Sequence, residues 1–185
     1  MTTKYENYDG AHYGRKSIYN DGASYKSGVG IPFTVGATGH TVTSVKVYLN
    51  KTGAPTGTIT VSVRATSGGK PTGDDLCSGT MNAASPPAWP ADAQFEISQS
   101  PEYTLSPSTT YAICLLLSAG GSNTTNYDAP IYNYPYTPRF CLTSDQGATW
   151  TFFGLDGTML FEVWGNSLIV IPTVTTQAAT SVGLD

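Results

Sequence analysis

The grouping of side chains best suited to chemistry is Tyr127-Asp128-Ala129-Pro130-Ile131-Tyr132-Asn133-Tyr134-Pro135-Tyr136, with Arg139 following. Flat aromatic rings bind the apolar faces of sugars, and neighbouring Asp, Asn and Arg side chains bond the hydroxyls. Pro130 and Pro135 stiffen such a segment and reduce the entropy lost on binding. Tyr127, Asp128, Tyr132, Tyr134, Tyr136 and Arg139 are therefore candidate glycan-binding residues. Trp89, inside Ser85-Pro86-Pro87-Ala88-Trp89-Pro90, is a second candidate platform. A purely structural alternative stands beside this reading. Alternate residues of a strand share a face, so Tyr132, Tyr134 and Tyr136 could cover the core, and Trp89 could pack beneath its own loop.

Catalytic patterns are not found. The chain has no Gly-x-Ser-x-Gly elbow, no His-Glu-x-x-His and no phosphate-cradling Gly-Lys-Ser/Thr. His12 and His40 fall in loop-like segments without a partner at a telling spacing. Glu96, Glu102, Asp128, Asp156 and Glu162 form the pool from which a pair of sugar-cleaving carboxylates would come, yet nothing in their spacing pairs them. They read as surface acids, and the chain as a non-enzyme. Alternation with Phe161 and Val163 places Glu162 on an outer strand face. Asp9, Asp21, Asp74, Asp75 and Asp156 could supply a structural calcium ion from loops, but none has EF-hand spacing, so no metal ligands are assigned and no other cofactor is expected.

Charged residues make up 12% of the chain, against about 25% in ordinary globular proteins. Gly (20), Pro (12) and Tyr (12) are abundant, which suits turn-rich β structure. The net charge is −4, with most basic residues before position 71 and most acidic ones after it. In a compact β fold the two parts interleave, so a mixed surface is expected. The scattered basic residues give no nucleic-acid footprint. Cys77, Cys114 and Cys141 make an odd set with no even disulfide framework, and Cys114 and Cys141, in apolar strand-like runs, read as buried free thiols. No secretory signal is visible, and the longest apolar run, Tyr111 to Leu117, is far below the roughly 20 residues of a membrane helix.

Period-2 alternation dominates. Val45, Val47 and Leu49 alternate with polar neighbours, as do Ile59, Val61, Val63 and Ala65, and the Gly/Pro segment 51–57 between them reads as a hairpin connection. Residues 111–117 are apolar on both faces and predict a central strand. Further strands are expected near 29–35, 94–97, 139–143, 149–153, 158–164 and 168–171, with loops at 67–73 and 85–90. The fold class is all-β, an antiparallel β-sandwich of jelly-roll type. Residues 1–27 are a Tyr-rich arm or first strands, 28–171 the β domain, and 172–185 a Thr/Ala-rich linker resembling the lead-in to a fibronectin-type-III-like module.

One motif is sharp. Thr143-Ser144-Asp145-Gln146-Gly147-Ala148-Thr149-Trp150 lies between apolar runs and reads as a hairpin. Asp145 accepts backbone N–H bonds, Gly147 supplies φ > 0 and Trp150 folds back as a plug. The pattern resembles the Asp-box hairpin, a peripheral structural element of sialidases and of many unrelated β proteins; a sialidase propeller repeats it, whereas this chain has one copy.

Together with Thr52-Gly53-Ala54-Pro55-Thr56-Gly57-Thr58, the run Val61 to Gly73 and Leu105-Ser106-Pro107-Ser108-Thr109-Thr110-Tyr111-Ala112-Ile113, this hairpin makes residues 29–165 resemble a β-sandwich domain. That domain recurs in bacteriophage virion proteins and in bacterial surface or secreted multi-domain proteins. The resemblance, the low charge, the unpaired thiols and the lack of a visible signal imply a non-enzymatic structural or adhesion component of a virion. It would be tail-associated or capsid-decorating, partnered by other virion proteins and by copies of itself, with surface glycans as ligands. The alternative is a carbohydrate-binding module of a secreted or cell-surface bacterial enzyme or adhesin.

Overall fold

A computed structural model describes residues 2–8, 14–18, 20, 26–118, 126–132, 139–153 and 158–168, with the backbone alone for 14–16, 126–132 and 158. These residues hold thirteen strands and no helix. The strands are β1 (Thr3–Tyr8), β2 (Gly14–Ile18), β3 (Gly28–Thr34), β4 (His40–Thr52), β5 (Thr58–Ser67), β6 (Lys70–Asn82), β7 (Ala93–Leu105), β8 (Thr110–Leu117), β9 (Asn126–Tyr132), β10 (Cys141–Thr143), β11 (Thr151–Phe152), β12 (Thr158–Met159) and β13 (Phe161–Ser167). They form one antiparallel sheet in the order β1-β13-β4-β7-β6-β5-β8-β3-β10-β11, with β9 joined to the end of β4 and holding β2 and β12. The chain thus forms the antiparallel all-β class expected of it.

The sheet curls on itself. Phe33 of β3 and Phe161 of β13, far apart along the strand order, meet with ring centroids 5.9 Å apart. The core between the curled walls takes the alternate apolar residues of β3, β4, β5, β8 and β13, among them Val29, Ile31, Val45, Val47, Ile59, Val61 and Val163. The ion pairs Lys4–Glu162 (3.4 Å) and Lys46–Glu96 (3.3 Å) join the basic first part of the chain to the acidic remainder, so charge is mixed in space as expected.

Two connections differ from the expectations. Segment 51–57 does not close a hairpin: β4 pairs with β13 and β7, whereas β5 pairs with β6 and β8. Each strand has a single apolar face, and a chain that passes from one wall of the curl to the other lets both faces share one core. Conversely, 67–73 is no open loop. Ser67 and Lys70 pair across Gly68-Gly69, whose φ values of 57° and 77° make a two-residue turn of the kind that matches strand twist. Pro71 pairs with Thr66, and Gly73 to Leu76 bulge out opposite Arg64 before pairing resumes at Cys77. This bulge hid the long strand β6 from the alternation pattern.

β8 is the central strand expected. Tyr111, Ile113, Leu115 and Leu117 face the main core, while Ala112, Cys114 and Leu116 face outward into a second cluster with Cys141 and Trp150. Trp150 lies on Gly30 of β3, where an added Cβ would come within 3.0 Å of its ring. All three cysteines are free and buried. Burial pushes the Cys77 thiol up to about 12 and the Cys141 thiol up to about 11, and it raises that of Cys114 as well.

Within residues 1–27, β1 lies along β13 and β2 along β9, so both are strands of this sheet. Leu168 is exposed beyond the end of β13; the remainder of the strand expected at 168–171, and the linker 172–185, lie outside the described residues.

Replacing Trp150 by Ala uncovers the outer face of β8. The expected loss is about 3–5 kcal/mol in denaturant unfolding. Cys114 and Cys141, unreactive in the parent, become accessible to a colorimetric thiol reagent under native conditions.

Candidate functional site

The Thr143–Trp150 hairpin is built almost wholly from its own side chains. Asp145 Oδ1 accepts from Thr143 Oγ1 (2.6 Å) and from the Thr149 N–H (2.9 Å), and Oδ2 accepts from Thr149 Oγ1 (2.6 Å). Thr143 Oγ1 in turn accepts from the N–H groups of Gly147 (2.9 Å) and Asp145 (3.3 Å). Gln146 and Gly147 both take left-handed φ, 60° and 84°. The Thr143 and Thr149 hydroxyls favour the ionised carboxylate and hold Asp145 down to about 2, although the residue is exposed.

The turn is also tied to the sheet. Trp150 Nε1 and Arg64 Nη1 each donate to the Gly147 carbonyl at 3.1 Å. Gln146 Nε2 donates to the Leu117 carbonyl (3.0 Å), and its Oε1 accepts from buried Asn20 (2.8 Å). The hairpin, the left-handed Gly147 and the inward Trp150 are as the sequence led one to expect.

With the turn fixed, β10 and β11 pair through Leu142–Thr151 and Cys141–Phe152. Phe152 lies two residues beyond Trp150, past the edge of that buried cluster, and is 41% exposed. Its ring lies against the β5–β6 turn, where a Cβ on Gly69 would be 3.4 Å from it, and Lys70 Nζ sits 5.1 Å from its centroid. Beside the ring is a groove of about 680 Å³, lined by Thr34, Thr66, Gly68, Gly69, Thr110, Arg139 and Phe152. The three threonines come from neighbouring strands. Thr34 and Thr110 share a hydroxyl–hydroxyl bond of 3.0 Å, and Thr66 Oγ1 donates to the Thr110 carbonyl at 2.8 Å.

The groove brings together a ring, a row of hydroxyls, a guanidinium and a Gly-Gly backbone that a ligand can approach closely. None of its described lining residues is acidic, so among them there is no general acid or base.

Of the residues expected to form a glycan site, Arg139 and Trp89 have described side chains, and these two lie apart. Arg139 lines this groove. Tyr127, Asp128 and Tyr132 are on β9, whose backbone sets Tyr127 opposite Lys51 and Asp128 opposite Asn50. The side chains of these three are outside the described set, as are Tyr134 and Tyr136 altogether. Trp89 is 48% exposed on a loop whose backbone runs along Lys51, with the Trp89 N–H donating to the Lys51 carbonyl (3.0 Å). Lys51 therefore lies between the Trp89 loop and the start of β9. Its chain leads into Thr58 at the start of β5, whereas the groove lies at the far end of that strand, by Thr66. Phe152, Lys70 and the threonines were not foreseen. The one signal available was that Phe152 shares its strand face with Trp150 but extends beyond what Trp150 covers.

Two of the five carboxylates of the enzyme hypothesis have structural partners. Glu96 accepts from Ser44 (2.8 Å) and pairs with Lys46; Glu162, on the outer face as expected, accepts from Trp164 Nε1 (2.7 Å) and pairs with Lys4. Glu102 is exposed, and Asp156 lies outside the described residues. Of the calcium candidates, Asp75 is bound by Arg64 (2.6 Å), Asp9 and Asp21 lie outside the described residues, and the described residues contain no group of three metal-ligating side chains.

His40 needs correction. It opens β4 and is wholly buried, not placed in a loop, and it has a partner: its Nε2 is 3.3 Å from Glu6 Oε2 on β1. Tyr5 stacks on the imidazole with centroids 3.9 Å apart. Burial pushes Glu6 up to about 7 and His40 down to about 4. Tyr5 covers the imidazole, and the pair fastens the edge strand β1 to the body of the sheet. No spacing could announce it, since the partners belong to separate segments.

No protein-family model matches the chain, and no curated protein matches it.

Two pH experiments follow. Asp145, lowered from 3.8 to about 2, contributes stability that is present above pH 3.8 and lost as the pH falls through 2. An Asp145→Asn variant is less stable at neutral pH and lacks that acid decline. Glu6, raised from 4.5 to about 7, favours the fold below pH 4.5 and loses that advantage as the pH rises through 7. His40, lowered from 6.5 to about 4, favours it above pH 6.5 and loses that advantage as the pH falls through 4. Between pH 4.5 and 6.5 the slopes cancel, because the folded and unfolded pairs each hold one proton. Glu6→Gln leaves the His40 slope alone, so stability rises with pH across this window. His40→Gln reverses the slope, and denaturant midpoints measured at unit pH intervals read both.

Proposed function

We propose that the chain is a non-enzymatic adhesion component that binds surface glycans, carried on a bacteriophage virion as a tail-associated or capsid-decorating protein. The observation that carries the binding role is the groove beside Phe152, where an exposed ring adjoins three threonines and Arg139. A pyranose presents an apolar C–H face and a rim of hydroxyls. The face lies against the ring, and the rim meets the threonine hydroxyls and the guanidinium. The Gly68-Gly69 turn, without side chains, leaves room for a chain of sugars to pass along the groove. The three threonines and Phe152 stand at hydrogen-bonded strand ends, which limits the entropy lost when a ligand is held.

The virion setting rests on the resemblance of residues 29–165, on the sparse surface charge and on the free, buried thiols. Detection of peptides from this chain in purified virions tests the setting. A hydrolase domain encoded in the same reading frame would point instead to a carbohydrate-binding module.

Phe152→Ala tests the site. The side chain is exposed, so stability changes by under about 1 kcal/mol. Affinity for a glycan selected from an array falls about tenfold, or ~1.4 kcal/mol. Isothermal titration of parent and variant measures the difference, and an unchanged affinity assigns binding elsewhere.

A further inference from the structure

We propose that the groove selects saccharides with free hydroxyls, which donate into a row of threonine oxygens, and turns away the same sugars when those hydroxyls carry O-methyl or O-acyl groups. This inference rests on the glycan reading above and narrows it to a ligand class.

The first observation is how the row is assembled. Strands β5, β8 and β3 are neighbours in the sheet, and hydrogen-bonded strands lie about 4.8 Å apart. Thr34 on β3 is the register partner of Thr110 on β8, and Thr66 on β5 stands one residue past the Ala65–Tyr111 pair. Three hydroxyls from three separate segments therefore line the groove together. Thr34 is exposed and the other two are half-buried, so the row meets the space beside Phe152 instead of being packed away in the core.

The second observation is where the hydroxyl protons go. Each threonine hydroxyl has one proton to donate and two lone pairs that accept. Thr66 Oγ1 lies 2.8 Å from the Thr110 carbonyl, which only accepts, so the Thr66 proton is committed there. Thr34 and Thr110 share a bond of 3.0 Å, which uses the proton of one and a lone pair of the other. One proton and five lone pairs are left for a ligand. Arg139, the other polar side chain of the lining, is already engaged and stands outside the row.

A row so rich in acceptors discriminates by what a ligand can donate. A free sugar hydroxyl brings its own proton to a threonine oxygen. A methyl ether or an ester at the same position has lone pairs but no proton, so oxygen meets oxygen and the threonine loses water without gaining a bond. Turning the Thr66 proton toward such a ligand would strip the Thr110 carbonyl of that donor, so the row does not adapt without loss.

The test uses the whole chain and five neutral tetrasaccharides (cello-, malto-, manno-, xylo- and chitotetraose), each beside its O-methylated form. At least one free form is expected to bind tenfold or more tightly than its methylated counterpart. Monofluorinated deoxy analogues of that binder lose the proton without the bulk of a methyl group, and at one position or more they weaken as the methyl ether does. Thr34→Val and Thr66→Val each lower affinity for the free form about fivefold and change the methylated form little, whereas Thr34→Ser keeps the parent affinity. Equal affinity for free and methylated forms, full affinity in every fluorinated analogue, or a preference unmoved by both valine substitutions overturns the selection while the glycan reading survives. If no member of any pair binds, or if binding is indifferent to Phe152→Ala, the glycan reading falls and this inference with it. Thermal melts of each variant separate lost binding from lost folding.

Discussion

Ala112, Cys114 and Leu116 turn an apolar face outward from the middle of the sheet, and that face has to be covered. Within a curled sheet the inner face of β8 is satisfied by the opposite wall. The outer face has no wall, so the chain supplies a lid, Trp150, from a hairpin that arrives late in the sequence. The lid can be placed only if its turn is rigid, and the turn is rigid because Asp145 and Thr143 satisfy its backbone N–H groups. A hydrogen-bonded carboxylate, a buried indole and an exposed phenyl are thus successive consequences of one uncovered strand.

The opposite edge of the sheet is secured by other means. Among the described residues β1 has a neighbour on one side, β13, and would be an easily lost edge strand on hydrogen bonds alone. Glu6 adds a carboxyl that reaches buried His40, and Tyr5 closes over the pair. Burial disfavours the charged form of each group, raising Glu6 and lowering His40.

Local features were readable from the sequence and distant ones were not. The Thr143–Trp150 turn was legible because its bonds close within eight residues, each side chain acting on a nearby backbone group. β8 was legible because an unbroken apolar run has no solvent side. The β4–β5 connection was misjudged because a Gly/Pro loop reverses a chain within a sheet or carries it between walls with equal ease. β6 was missed because Pro71 and Gly73 punctuate it, although Gly68-Gly69 ahead of them is itself a turn signal. The groove was out of reach: Thr66 and Thr110 are 44 residues apart and Thr34 and Thr110 are 76 apart, and only strand order makes them neighbours. Arg139 stands out in the sequence for its tyrosine neighbours, and it lines the groove beside Phe152.

The three buried thiols bear on where such a chain can work. Their raised pKa values keep them as thiols, and their burial keeps oxidants and partner cysteines away. The fold has no bridge to form and no thiolate to lose, so its stability is indifferent to redox poise. A domain held this way draws none of its stability from a disulfide, and its three thiols stay inside the packed sheet.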